Sequence, residues 1–430
     1  MITLIAIILI DITVVKIYDV TDKNFIPIQH KLLLFSINSS ACLVLQFFII
    51  RYLQYSIKVG KTNDSTKLYY MISIISLFIM GAIVGSLIAE QFIYGNYNTS
   101  FSILLIAISY GTAALFIIRL SLMFLSWYRS SHNLIVLLYF VSMSVIAFNL
   151  IMTAAFSCAK VSDRPDRVGI FVGGGGDNSG GRYLLLDTVH RISSFMSFFS
   201  IWVTTAILMN SYRQRAVNTL LFWVILAIPL IYFCLTYFYQ YILGKTLGSF
   251  IATDPVTAAI IISAFLSLSK PIGGVIFGLA FWNIAKEVSY ERNIKIFMII
   301  SGWGIFLIFA TNQAASQMLA PFPPFGIVTI TVLNLGSFLM LLGIYNSAVL
   351  VSANTNLRKS IQKRALESKL LNLIGHAEFE NEIQRTVSRI IADTSMLETN
   401  TETQYELDEN ELKRYLDVVI KEVKKDHLPS

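Results

Sequence analysis

A chain of 430 residues that is 55% hydrophobic, only 14% charged and has a mean hydropathy of +0.66 is too apolar for a soluble or disordered protein. Its formal charge of +7 is not a nucleic-acid signature, because the bases lie beside long apolar runs, where they meet anionic headgroups. Cys42, Cys158 and Cys234 all fall inside such runs and form no Cys-x-x-Cys, so neither a disulfide framework nor a thiolate metal site is indicated.

A bilayer core about 30 Å thick needs roughly 20 apolar residues in a helix. The first run, residues 2–17, is short and carries Asp11. It has no basic n-region and no small-residue cleavage site, so it reads as a retained helix rather than a signal peptide. Nine further runs have spanning length: residues 32–50, 68–89, 101–125, 134–159, 189–209, 219–243, 255–285, 294–317 and 326–350. None shows the two-residue alternation of a β-barrel strand. The expected fold is an all-α, polytopic transmembrane helix bundle of about ten spans, residues 1–352, followed by a cytoplasmic helical tail, residues 353–430. The partner this implies is the lipid bilayer.

Orientation follows from basic residues. One alternating set of connections holds fourteen lysines and arginines, from Arg51 to Arg364, and the other holds seven, from Lys23 to Lys245. The richer set is expected in the cytoplasm, which puts both termini inside a cell membrane.

Local matches point to a parallel repeat of four helices, with halves 31–159 and 188–318. His30-Lys31 answers His190-Arg191, Gln91 to Gly95 answers Gln240 to Gly244, and Asn149 answers Asn312. Chance similarity of apolar segments is the alternative. The external segment 160–187 between the halves contains Gly173–Gly176 and reads as a flexible connector. It lacks the Gly-Lys-Ser/Thr ending of a phosphate cradle.

The run 255–285 is the unusual one. Thr253-Asp254-Pro255 is a good helix start, but Ser269-Lys270-Pro271 interrupts the run. Proline removes a backbone donor, so a broken helix with Lys270 at the break is expected. A cation at a broken helix resembles the local architecture of transporter sites. Burying that lysine costs about 2.5–3.5 kcal/mol on insertion scales, so it is expected to face protein or water. Arg119 lies about two turns from a basic end, within snorkelling reach. Asp11 either neutralises Lys270 or Arg119 across the bundle or sits at an interface because the first helix is short. Lys270, Arg119, Asp11 and Asn312 are therefore the candidate solute-binding residues.

The five histidines fall outside the spans or at their ends, which argues against haem ligation, and no cofactor is expected. His30 and His190 at external helix ends, with Asp187, are the candidate metal or proton ligands. Asp187 is also the expected N-cap of the sixth span, with His190 one turn later.

In the tail, Leu357, Ile361, Leu366, Leu370 and Ile374 mark an amphipathic helix that Gly375 should stop or hinge. A second apolar face runs from Phe379 to Ile390, and a third helix is expected at 409–425. Such a tail suits a hairpin, a dimerising stalk or a docking element for a cytoplasmic partner. His376-Ala-Glu lacks the basic residue and proline of a kinase phosphoacceptor box, and no glycine-rich ATP-binding domain follows.

The Phe- and Ile-rich spans, the Ser269–Phe281 stretch and the Ala320-Pro-Phe-Pro-Pro-Phe-Gly326 turn resemble polytopic membrane proteins of ammonia-oxidising archaea. That resemblance implies a membrane bundle and no substrate. No carboxylate pair, histidine cluster or nucleophile–base pair shares a depth, so an enzyme is the weakest reading. The leading expectation is a bundle that moves a small solute or ion near the broken helix. The alternative is a sensor or scaffold with the tail as its output.

Overall fold

The computed structural model describes residues 3–8, 10–11, 27–57, 64–95, 98–163, 181–210, 219–246, 265, 268–288, 291–317, 323–353 and 369–398. Among these residues there are helices and turns and no strand. A short helix, α1, occupies residues 3–8 and 10–11. It is followed by α2 (Ile28–Ile57), α3 (Asp64–Tyr94), α4 (Thr99–Ser131), α5 (Leu134–Asp163), α6 (Gly181–Asn210) and α7 (Thr219–Thr246). Then come α8 (Ser269–Glu287), α9 (Arg292–Gln317), α10 (Ile327–Ala353) and α11 (Lys369–Glu398).

Seven of the described helices, α2 to α6, α9 and α10, are long and apolar enough to cross a membrane. The protein is an all-helical, multi-pass membrane protein. Of the three other expected spans, the first is described only over residues 3–8 and 10–11, α7 has an apolar segment at Phe222–Leu235, and α8 takes only the second part of the run 255–285. The start expected at Thr253-Asp254-Pro255 lies outside the described residues.

Polar side chains end and start these helices. Asn98 caps α4 by accepting from the Ser100 N–H at 2.9 Å, and Asn133 caps α5 by accepting from Ile135 N–H at 3.0 Å. Between them His132 takes a left-handed conformation (φ 46°), and its N–H donates to Tyr128 O at 2.7 Å. Consecutive helices are neighbours: α2 to α5 pack in chain order, and so do α6 to α9. That order is common to both proposed repeat halves.

The axis of the bundle is α10. Every residue from Ile327 to Tyr345 is buried. It packs most extensively on α9 and α4, and less on α2 and α3. Against α9 the approach is through glycines: a methyl on Gly304 would fall 2.6 Å from Met340 N and 2.8 Å from Gly336 O. Small residues let helix backbones meet closely where lipid supplies no hydrophobic drive for association. Phe48, Phe78, Leu115 and Ile231 lie on the outside, where acyl chains solvate them.

The chain divides into two compact units, Met1–Phe379 and Glu380–Ser430. The expected stop at Gly375 is corrected: α11 runs through it without interruption. Gly375 sits so close to Val351 of α10 that a Cβ would collide with that side chain. Its lack of a side chain serves packing, not termination. Leu370, Leu371, Ile374 and Ala377 are buried beside it. In the second unit the description covers the helical residues 380–398, where Thr386 donates back to Glu382 O at 2.9 Å. The helix expected at 409–425 lies outside the described residues, as do Leu357, Ile361 and Leu366.

Candidate functional site

At one end of the bundle lie Arg51, Arg129, Lys286 and Arg292; we refer to it as the basic end. At the opposite, far end, Asp11 is 1% exposed and reaches the N-terminus of α10. Its carboxylate accepts from Gly326 N–H at 3.2 Å, Thr329 N–H at 3.3 Å, Thr329 Oγ1 at 2.6 Å and Asn38 Nδ2 at 3.4 Å. The first four N–H groups of a helix have no intrahelical partner, and the helix dipole favours an anion there. Asp11 thus caps the central helix from another element. Gly326 has φ 93°, a left-handed backbone that glycine adopts without strain. The pairing of Asp11 with Lys270 or Arg119 is not what the carboxylate makes; its partners are on α2 and α10.

The α5–α6 interface holds a second polar group. Thr153 Oγ1 lies 3.3 Å from His190 Nδ1 and donates to Asn149 O at 2.7 Å. Ser193 Oγ donates to Asn149 Oδ1 at 3.1 Å. The His190 ring stacks on Phe156 with centroids 4.8 Å apart. The expectation that His190 lies at an external helix end is corrected. α6 begins at Gly181, so His190 sits more than two turns inside it and is buried. Asp187 is likewise inside the helix rather than its N-cap, and its carboxylate pairs with Arg191 at 2.8 Å. His30 is exposed in the first turn of α2. The structure does not bring His30, His190 and Asp187 together. Among the described residues no group of three or more His, Cys, Asp or Glu could hold a metal ion.

Lys270 stands in the first turn of α8. Leu268 precedes the helix with no side-chain cap, and Pro271 is the third helical residue, where a missing N–H costs no helical bond. Lys270 is 4% exposed, and among the described residues no carboxylate lies within ion-pair distance. Gly278 meets Gly302 and Gly274 meets Phe306, so α8 and α9 run antiparallel in close contact. Extended one turn, that register sets Lys270 level with Ala310, beside the height of Asn312. Asn312 is buried and accepts from Tyr110 Oη at 3.4 Å. One to two turns nearer the basic end, Phe198 stacks on Phe233 at 4.2 Å and meets Phe277 edge-on at 5.2 Å and Phe309 at 5.8 Å. These rings form an aromatic floor beneath the lysine.

Arg119 is exposed on α4, and its Nε donates to Tyr69 Oη at 2.9 Å, away from the other three candidates. The snorkelling geometry, an aliphatic stem on the apolar face with a polar tip, accounts for it. The four candidate residues therefore occupy distinct places: Asp11 at the far end of α10, Lys270 and Asn312 on the paired helices α8 and α9, and Arg119 on the outer face of α4.

Several buried polar contacts were not legible beforehand. Gln46 Nε2 donates to Thr331 Oγ1 at 2.8 Å, Asn334 Nδ2 to Ser76 Oγ at 2.8 Å, and Trp127 Nε1 to Glu378 Oε2 at 2.7 Å. Serine and threonine give little signal, because they satisfy themselves on the preceding turn, as Ser301 does on Phe297 O at 3.0 Å. Amides cannot do so as easily, and Asn149, Asn312 and Asn334 stand out in the sequence for that reason.

Compared with protein-family models, with curated proteins and with solved structures, the chain finds no match in any of the three.

Proposed function

We propose that the protein moves a small anionic solute across a cell membrane, with the basic end in the cytoplasm and Lys270 as the counter-charge. The observation that carries this reading is the buried ammonium of Lys270, which has no carboxylate partner among the described residues. An intramembrane cation is costly and is kept where it meets a charge of opposite sign. The Phe198, Phe233, Phe277 and Phe309 cluster supports the reading by giving the site a floor that must reorganise before a solute passes. Asn312 supplies an amide at the same height.

The test is electrogenic uptake by the full chain in proteoliposomes, with chloride, nitrate, acetate and phosphate as probes. Lys270→Met keeps the stem and loses the ammonium, and should abolish the current for whichever anion the wild type carries. Lys270→Arg should restore little of it, because the planar fork is larger and differently directed. A Lys270→Met protein with full current sinks the reading.

A second reading, a sensor or scaffold whose tail meets a cytoplasmic partner or a second copy of the chain, is favoured by one observation. The first turns of α11 are seated on the membrane unit through Gly375 on Val351 and Glu378 on Trp127. A device of that kind would report on the membrane helices through α11 without any flux.

A further inference from the structure

Buried polar atoms in folded proteins almost always have a hydrogen-bond partner, and an orphan implies water or a solute. Five of the ten such atoms among the described residues gather along one side of α10. Gln46 Oε1 on α2, Tyr70 Oη and Ser73 Oγ on α3, and Asn334 Oδ1 and Asn346 Nδ2 on α10 are all buried atoms without a protein partner. They are interleaved with bonded polar groups of the same three helices: Gln46 with Thr331 at 2.8 Å, Asn334 with Ser76 at 2.8 Å, and Thr66 with Asn346 at 3.5 Å. Thr331, Asn334, Phe338 and Tyr345 follow helical steps of three, four and seven, so they share one face of α10. Between Thr331 and Asn346 that helix rises about 22 Å, most of a hydrocarbon core. The face looks towards α2 and α3, on which α10 packs less extensively than on α9.

We propose that this seam is a hydrated path for water and small neutral hydrogen-bonding molecules, with Phe338 as its constriction. The orphan set fixes the chemistry. Two amide oxygens accept, one amide nitrogen donates, two hydroxyls do either, and none carries a formal charge. A molecule that both donates and accepts satisfies them; a bare ion does not. Phe338 lies between Asn334 and Asn346, its ring edge-on to Tyr70 at 5.1 Å and tilted on Phe116 at 5.8 Å. An apolar ring across a polar file interrupts it by excluding water, which is how hydrophobic constrictions gate. At the far end Asp11 is not one of the orphans, because four protein donors already occupy its carboxylate. The seam uses no residue of α8, so it goes beyond the Lys270 reading and stands without it.

The experiment is osmotic shrinkage of proteoliposomes holding the full chain, read by stopped-flow light scattering, with radiolytic hydroxyl labelling of the wild type. Phe338→Ala should shrink several-fold faster than protein-free liposomes. Adding Asn334→Leu should return the rate to the protein-free value, while adding Lys270→Met should leave it unchanged. In the wild type, Tyr70 should label well above Tyr110, whose hydroxyl is bonded to Asn312. No gain in Phe338→Ala, a gain that Asn334→Leu fails to remove, a gain lost with Lys270→Met, or a Tyr70 labelled no more than Tyr110 each overturns the proposal. The labelling arm needs no variant and decides the matter even where Phe338→Ala fails to fold.

Discussion

The indole N–H of Trp127 donates to Glu378 Oε2 at 2.7 Å, joining residues 251 positions apart in sequence. Trp127 is 1% exposed and Glu378 is 6% exposed, so this bond ties α11 to the basic end of α4 from the inside.

Trp127→Phe should loosen that tie. It keeps the ring against Phe124 and removes one donor from a buried carboxylate, at a cost of about 1–3 kcal/mol. The expected result is a lower unfolding midpoint in detergent and faster hydrogen exchange at residues 369–379. Exchange rates equal to those of the wild type would show that the apolar contacts at Leu370, Leu371 and Ile374 hold α11 unaided.

Asp11 and Thr329 should be energetically coupled. A double-mutant cycle with Asp11→Ala and Thr329→Val should give a coupling of about 1.5–3 kcal/mol, the range of hydrogen bonds to a charged group. Gly326→Ala should destabilise the same corner by another route, because φ 93° is strained for any residue with a Cβ. Coupling indistinguishable from zero would mean that the cap contributes nothing net.

Glycines in this bundle should divide sharply into two kinds. Gly304→Ala forces a methyl to 2.6 Å from Met340 N, and overpacking of this sort costs about 1–3 kcal/mol or more. Gly85→Ala meets nothing within 4 Å and should be neutral or slightly stabilising, since alanine is the better helix former. Thermal unfolding of the two variants in the same detergent checks the contrast. Equal losses would mean that α3 meets something on its outer face.

The orientation is open to a direct chemical check. A cysteine placed at Gly175 in a background lacking Cys42, Cys158 and Cys234 should react with an impermeant maleimide added to intact cells. Reaction only after permeabilisation reverses the topology.

The membrane character, most helix limits and the polar oddities were legible because hydropathy and proline act locally. Lys270 is the clear case: the Ser269-Lys270-Pro271 interruption marks where α8 starts. Asp187 misled because an acid near a helix start resembles a cap, whereas Tyr183-Leu-Leu-Leu186 carries the helix back to Gly181. Gly375 misled because the same residue serves two purposes, ending a helix or letting another backbone come near, and its own neighbourhood does not distinguish them. The central position of α10 was hidden for a different reason. An all-round apolar helix signals burial in a soluble protein, but every membrane span is apolar all round. Its Gly336, Gly343 and run of hydroxyls are the signal that burial leaves.

A helix on which α2, α3, α4 and α9 all pack, yet which follows all four in the chain, sets the order of assembly. When α2, α3 and α4 enter the bilayer from the ribosome, the groove that receives α10 has no occupant. Ser76, Gln46 and Ser109 then face lipid or one another, and Asp11 waits without the N–H groups it will bind. Completion of the last span therefore converts a set of inserted helices into a closed bundle in one late step. Translation stalled before Ile327 should leave a species that is inserted but protease-sensitive, held for insertase or quality-control factors to recognise by its exposed polar groups.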